Sequence, residues 1–174
     1  FHSAKGAFPH GSTAKASFPG DPSPNFHRWS ALAHLTPFLE QSAVHNMLDL
    51  SAPLYSGLVL NAKNADVVKL VVPEFLCPSD HGARVHNDFG PTNYAACAGS
   101  GHKSGSPDKT DGIFYINSET KLTQIADGSS KTMLFAESLL GSESAGSRKD
   151  PRIDYKFVFG KPADTIGGGI RLPM

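Results

Sequence analysis

The sequence predicts a loop-rich α+β domain in which a helix is followed by an antiparallel sheet. Apolar residues recur with a helical period between positions 29 and 50, and short strand candidates alternate with turns in the second half. The 174 residues also include 17 Gly and 13 Pro, as a loop-rich fold requires. With 39% hydrophobic residues the chain can bury one ordinary core, so we expect a single domain over residues 1–174.

The helix is the first regular element that the sequence predicts. Residues 1–28 are rich in Gly, Pro, Ser and His, which is typical of an irregular loop. Between Trp29 and Leu50, a stripe with a four-residue period is formed by Leu35, Leu39, Ala43 and Met47. Thr36 and Pro37 suit an N-cap and a first turn, so the helix begins or kinks there. We expect the stripe to face the sheet.

The sheet is predicted from short segments in the second half. Residues 61–69 suit a second short helix, and residues 70–77 suit an extended segment. The strand candidates that follow are residues 93–97, 113–117, 132–137 and 153–159. Asp111-Gly112 and Asp127-Gly128 supply turns between them.

Charge and hydropathy exclude several classes of partner. Lys plus Arg and Asp plus Glu both number 16, so no net field attracts nucleic acid or an anionic membrane. No stretch reaches the roughly 18 to 20 apolar residues that span a bilayer. Because the sequence opens at Phe1 in the middle of a pattern, we expect further sequence upstream.

The sequence lacks the motifs from which an enzyme could be predicted. No two of the eight histidines have the i, i+4 spacing of a helical metal pair, and no Ser lies in a G-x-S-x-G frame. Gly167-Gly168-Gly169 has neither the Lys nor the spacing of a phosphate loop and is more typical of a linker or tail. We therefore expect a protein that is not an enzyme.

Two cysteines, Cys77 and Cys97, lie beside turn residues and are 20 positions apart. In an oxidising compartment a disulfide between them would stabilise the fold by about 3 kcal/mol. Two buried free thiols are the alternative. A zinc site is disfavoured because neither cysteine has a C-x-x-C partner.

A hard cation is the metal that the loops could hold. Carboxylates and carbonyls in or beside Gly-containing loops can converge on calcium. The candidate calcium ligands are Asp80, Asp88, Asp111 and Asp127, with Asn87 and Asp108 close to them in sequence. Ordinary Asx turns are the alternative interpretation, and no EF-hand pattern is present.

Asp127, Gly128 and Ser129 form a motif that we interpret as architectural. The carboxylate can cap backbone N–H groups, and Gly128 can adopt a positive φ without steric cost. In the strand that follows, residues 132–137, Glu137 shares a face with apolar neighbours. If Glu137 is buried, it needs a partner.

Six segments in order resemble a large family of prepilin-type proteins, abundant in planctomycetes, whose central region is a domain of unknown function. They are residues 1–9 (FHSAKGAFP), 29–41 (ending LTPFLEQ), 75–80 (FLCPSD), 90–94 (GPTNY), 111–114 (DGIF) and 125–137 (beginning IADGSSKT and ending at Glu137). Their order and spacing carry the resemblance.

The resemblance implies a type IV pilin-like fold, with an N-terminal helix packed on an antiparallel sheet. It implies a structural or assembly subunit: the extracytoplasmic head of a pseudopilin-like protein in a surface filament or a type II secretion apparatus. Its partners would be copies of itself or other pilin-like subunits, and it would meet the membrane only through an upstream apolar helix. The C-terminal His-x9-Asp-Gly block of the family does not occur before Met174. The family supplies no catalytic residues to carry over.

A second hypothesis is an extracellular module that binds carbohydrate or a cation. Trp29, Tyr94 and Tyr115 would supply the aromatic platform for a sugar, and the Asp-rich loops would hold the cation.

Overall fold

The computed structural model describes residues 1–16, 25–56, 59–82, 84, 87–99 and 110–140, and every helix and strand in them is short. The α-helices are α1 (His2–Lys5), α2 (Ala31–Leu35) and α3 (Ser42–Met47). Single 3-10 turns cover Thr36–Phe38, Val67–Lys69, Pro73–Phe75 and Leu122–Gln124. None of the helices in the described ranges has the length and apolar character needed to cross a membrane.

In the described residues, six short strands pair two by two in antiparallel fashion. The strands are β1 (Ala14–Lys15), β2 (Asn25–Phe26), β3 (Tyr55–Ser56), β4 (Val59–Leu60), β5 (Tyr94–Ala96) and β6 (Phe135–Glu137). The pairs are β1–β2, β3–β4 and β5–β6. The described chain is therefore a small mixed α/β domain with short antiparallel sheets and few helices, which confirms the coarse prediction.

The predicted helix between residues 29 and 50 is broken into three pieces. Pro37 lies at the start of a 3-10 turn, and Glu40 adopts a left-handed backbone with φ of 59°. Leu35 and Leu39, before the break, pack against a buried cluster, whereas Met47 in α3 is 53% exposed. The prediction of one continuous stripe on the sheet is thus wrong beyond the break, because α3 packs on the core through Val44 and leaves Ala43 and Met47 exposed.

The strand predictions had mixed outcomes. Residues 93–97 and 132–137 contain β5 and β6, which pair in the register Tyr94 to Glu137. Residues 113–117 form no strand; Ile116 makes only an isolated bridge with Ser12. Residues 70–77 include a 3-10 turn that begins at Pro73, whose fixed φ and missing N–H suit a first helical position. Residues 153–159 and 167–169 lie outside the described ranges.

The core is organised around α2, whose three consecutive residues enter three different clusters. Ala33 packs with Trp29 and Leu54, while Leu32 packs with Phe75 and Val72. Ala31 packs with Ile113 and Phe114, and Ala96 of β5 and Phe135 of β6 lie against the same cluster. Consecutive positions of a helix point to different sides of it, so these three side chains reach separate clusters. One short helix therefore joins the β5–β6 pair to the rest of the domain.

The N-terminal segment, residues 1–16, lies between the helices and the chain around residues 115–122. Phe8 N–H donates to Thr120 O (2.8 Å), and Gly11 N–H donates to Tyr115 O (3.0 Å). A Cβ at Gly11 would lie 2.5 Å from the Phe114 carbonyl carbon, so the close approach of the two backbones requires glycine there. The Phe1 ring contacts Phe38, with ring centroids 5.0 Å apart.

Candidate functional site: the Asn93 corner and the histidine cluster

Asn93 precedes β5, and its side chain is buried. Its Oδ1 accepts a hydrogen bond from the Cys77 N–H (2.8 Å), and its Nδ2 donates to the Ser138 carbonyl (2.8 Å) and to Asp80 Oδ2. The Asn93 main chain also donates to Phe75 O (2.9 Å) and accepts from the Ser138 N–H (2.8 Å). One residue thus ties the chain around Cys77 to the β5–β6 pair.

Asp80 completes this network with three accepted hydrogen bonds. Its carboxylate accepts from the Leu140 N–H (2.7 Å), from the Gly82 N–H (2.9 Å) and from Asn93. These donors, with Leu140 the strongest, hold the pKa of Asp80 below its usual value. Oδ2 receives two of the bonds and has no lone pair to spare. Asp80 therefore acts as an acceptor that holds chain segments together.

Tyr94 and Glu137 form the outer rim of the same region, and we call Cys77, Asp80, Asn93, Tyr94 and Glu137 the Asn93 corner. Tyr94 and Glu137 are directly opposite each other in the β5–β6 register. Desolvation, then the Glu137 charge and then Cys77 raise the pKa of the Tyr94 phenol. Glu137 is exposed, so its carboxylate does not need the partner that a buried carboxylate would require.

The two cysteines are free thiols in the structure, so the predicted disulfide is not formed there. Cys77 Sγ lies 3.0 Å from Ser79 Oγ. Cys97 lies just beyond β5, where its N–H donates to Leu134 O (2.9 Å). Each cysteine is thus held through its own backbone bonds, and both thiols are partly exposed.

The predicted calcium ligands do not come together. Asp80 is occupied by its three donors, and Asp127 Oδ1 accepts a hydrogen bond from Thr132 Oγ1 (2.9 Å). The Asp111 carboxylate lies so close to Gly99 that a Cβ at this position would clash with it. Asp88 lies near Tyr55, where its charge helps to raise the pKa of the phenol. In the described part of the chain no three His, Cys, Asp or Glu side chains are placed to hold a metal ion. Asp108 lies outside the described residues.

The Asp127 turn has the geometry that the sequence predicted for Gly128. Gly128 has a φ of 88°, a left-handed conformation, and its carbonyl accepts from the Lys131 N–H (3.0 Å). Asp127 and Thr132 close the turn through their side chains, and Ser129 lies exposed between them. The turn leads the chain into β6.

The aromatic platform of the carbohydrate hypothesis is not available as predicted. Trp29 is only 1% exposed, and its Nε1 donates to the Ala52 carbonyl (2.9 Å) inside the core. Tyr94 and Tyr115 are half-buried. A sugar cannot stack on Trp29, so this part of the second hypothesis is wrong.

The structure brings together three histidines for which spacing in the sequence predicted no joint role. His10 comes from the N-terminal segment, His34 from α2 and His45 from α3. The rings of His10 and His34 meet edge to face, with centroids 5.6 Å apart. We call His10, His34 and His45 the histidine cluster. No periodicity could have found it, because the three residues lie on separate elements.

Hydrogen bonds fix the tautomers of the two outer histidines. His10 Nδ1 lies 2.7 Å from the Ser118 carbonyl, which only accepts, so this nitrogen carries the proton. Thr36 gives its single hydroxyl hydrogen to Ala33 O (2.8 Å), so His45 Nδ1, 3.3 Å from the same hydroxyl, must be the donor. Both outer rings therefore carry their proton on Nδ1.

The central imidazole is in a different situation. His34 Nε2 is buried and has no hydrogen-bond partner in the described residues. Burial first, and then the neighbouring His10 and His45, lower the pKa of His34 from 6.5 to about 4. His34 is therefore neutral at pH 7, and a proton on it would be unfavourable.

The comparisons with known proteins identify the family but no close relative. The model of a family described as a protein of unknown function, DUF1559, matches residues 1–163, and the chain belongs to this family. Neither the curated proteins nor the solved structures contain a match.

Proposed function

We propose that this member of the DUF1559 family is a structural subunit: the pilin-like, extracytoplasmic head of a pseudopilin-like protein that assembles with copies of itself or with other pilin-like subunits. The head would stand on a surface filament or a secretion apparatus, at the cell surface or in the periplasm. The resemblance of six ordered segments to prepilin-type proteins suggests this role, and the use of their polar residues supports it.

The observation that carries the proposal is the Asn93 corner. It is built from three of the segments that resemble the prepilin-type family, 75–80, 90–94 and the one that ends at Glu137. The inner polar groups of Asn93 and Asp80 are used in hydrogen bonds to other parts of the same chain. A catalytic or ligand-binding residue needs polar atoms directed at a substrate. Here the segments' polar atoms hold the domain together.

The cavity beside α2 supports the same interpretation. It has a volume of about 20 Å³, and its walls include Trp29, Val68 and Phe75. Thr36 contributes a hydroxyl to the lining, but its hydrogen is already donated to Ala33 O. A space of this size holds about one water molecule, so it offers no room for a substrate.

The packing of α2 supports a pilin-like arrangement. Ala31 lies with Ile113 and Phe114 in the cluster against which Ala96 of β5 and Phe135 of β6 pack, so α2 and the strand pair share one apolar cluster. This shared cluster supports the helix-on-sheet layout that the resemblance implies.

Immunogold electron microscopy of surface material from the native source tests the proposal. Antibodies against residues 1–140 should label filaments or a membrane-bound apparatus, and cross-linking of intact cells should give a ladder of multimers that contain this chain. A strain with the gene deleted is the matched control. Recovery of the chain only as a free monomer, with no cross-linked partner of any kind, would contradict an assembly role.

A further inference from the structure

We propose that the histidine cluster is an acid-sensitive contact that holds the N-terminal segment, residues 1–16, on α2 at neutral pH and releases it on acidification. The proposal goes beyond the assembly role and does not depend on it. It starts from three imidazoles that meet from three separate elements, the central one with a buried nitrogen that has no partner.

Within the described residues, the groups that act electrostatically on His34 are two other imidazoles. The groups whose charge acts on His34 are His10, from the N-terminal segment, and His45, from α3. The neutral groups that hold these two rings are the Ser118 carbonyl and the Thr36 hydroxyl. In the described residues no carboxylate is among the groups that act on His34. A proton on His34 would therefore lie beside two other imidazoles, with no carboxylate of the described residues to stabilise it.

Release of the N-terminal segment relieves this conflict most directly. The His10 ring lies edge to face on the His34 ring, so its removal would uncover part of the His34 imidazole. Around His10 the segment is held by single backbone bonds, Phe8 N–H to Thr120 O and Gly11 N–H to Tyr115 O, and only its end, at Ala14 and Lys15, pairs with a strand, β2. His45 belongs to α3, which directly follows the turn after α2, so it cannot leave as easily.

The size of the effect follows from proton linkage. An exposed histidine has a pKa of about 6.5, whereas His34 in the closed form has a pKa of about 4. The open form therefore binds the proton over most of the range between pH 6.5 and pH 4, and the closed form does not. If opening fully restores the exposed value, the ratio of open to closed molecules rises roughly 20-fold between pH 7 and pH 5.

Native-state hydrogen exchange measures this opening residue by residue. The protection factors of the Phe8 and Gly11 amides, corrected for the intrinsic pH dependence of exchange, should fall roughly 20-fold from pH 7 to pH 5. The Asn93 amide, bonded to Phe75 O in the other region, should exchange only through global unfolding and should therefore stay better protected than Phe8 and Gly11 at both pH values. H34Q, which cannot gain a proton, should show no selective fall at Phe8 and Gly11. H81Q, at an exposed histidine outside the cluster, should behave as the wild type.

Three outcomes would overturn the proposal: protection of Phe8 and Gly11 that does not change with pH, an equal fall in H34Q, or protection of Asn93 no higher than that of Phe8 and Gly11, which would mean that all three amides exchange through global unfolding. If H34Q does not fold, NMR titration of His34 in the wild-type protein still tests the proposal. The His34 Cε1 proton should titrate by NMR well below pH 6 in the closed form. Titration near pH 6.5 with full protection of the segment would refute an acid-sensitive contact.

Discussion

The Asn93 corner and the histidine cluster both gather polar side chains from distant parts of the chain, but they differ in how completely those side chains are bonded. At the corner, Asn93 uses its amide oxygen and nitrogen in three hydrogen bonds, and Asp80 accepts three. In the cluster, the central His34 Nε2 has no partner within the described residues. Polar groups whose hydrogen bonds are all satisfied hold one arrangement of the chain. A buried nitrogen without a hydrogen-bond partner, such as His34 Nε2, leaves an arrangement that protonation can destabilise.

The two regions therefore lose stability in different pH windows. The pKa of Asp80 is lowered by folding, so its contribution is present above its unfolded value near 3.8 and is lost only as the pH falls below that. Folding also lowers the pKa of His34, from 6.5 to about 4. Because histidine is a base, the folded state favours its neutral form. Its contribution is complete above pH 6.5 and is lost between pH 6.5 and pH 4.

The largest expected effect is that of removing the centre of the corner. Asn93→Ala deletes three side-chain hydrogen bonds and leaves the Cys77 N–H and the Ser138 carbonyl without their partner. We expect the free energy of unfolding to fall by about 3 to 5 kcal/mol, since each buried group left unpaired costs about 1 to 3 kcal/mol. Urea denaturation measures the change.

Asn61→Ala is the matched control for Asn93→Ala. Asn61 Oδ1 accepts a single bond, from the Lys63 N–H (3.1 Å), at the surface. Its loss should cost about 0.5 to 1 kcal/mol. Equal losses for the two variants would show that the corner is no stronger than an ordinary surface turn.

The second prediction concerns stability between pH 7 and pH 4. The free energy of unfolding should fall by roughly 2 to 3 kcal/mol through the protonation of His34 alone, allowing for the water that still reaches part of its ring. In H34Q this part of the fall should vanish, while any loss below pH 4 that comes from Asp80 should persist. Parallel curves for the two proteins would remove the distinction between the regions.

The sequence predicted those structural features that depend on residues close together in the chain. Alternation located β5 and β6 to within three residues, and the Asp127-Gly128 pair predicted a left-handed glycine. Thr36-Pro37 marked the point where the helix breaks, but the periodic stripe did not show that α3 packs through Val44 and not through Ala43 and Met47. Local chemistry is readable because its partners lie within a few residues.

The partners of the two polar regions could not be read in this way. Asn93 bonds Cys77, 16 positions before it, and Ser138, 45 positions after it. His10 and His34 meet only because the N-terminal segment folds back over α2. Neither contact leaves a period, a motif or a charge pattern in the sequence. The burial of Trp29, which the sequence had suggested as part of a sugar-binding platform, likewise depends on tertiary packing.

A smaller effect is expected at the turn that leads into β6. Asp127→Ala removes the acceptor of the Thr132 hydroxyl, an exposed bond, and should lower the free energy of unfolding by about 0.5 to 1 kcal/mol. Asp127→Asn keeps an oxygen acceptor and should cost less. Thermal denaturation of both variants gives the comparison. A loss as large as that of Asn93→Ala would make this turn part of the same network.

The smallest expected effect tests whether the edge of the Asn93 corner depends on a covalent link. Both thiols are free in the structure, and serine in place of Cys77 keeps a hydroxyl beside Ser79 Oγ. Cys77→Ser and Cys97→Ser should therefore each change the free energy of unfolding by less than about 0.5 kcal/mol. Thiol titration of the unfolded wild type, purified without reductant, should count two thiols per chain. A disulfide formed after export would give none, and either serine variant would then lose about 3 kcal/mol, the stabilisation expected for closing a loop of this length. That result would restore the predicted Cys77–Cys97 bond and would mean that the region around the corner is held by a cross-link as well as by hydrogen bonds.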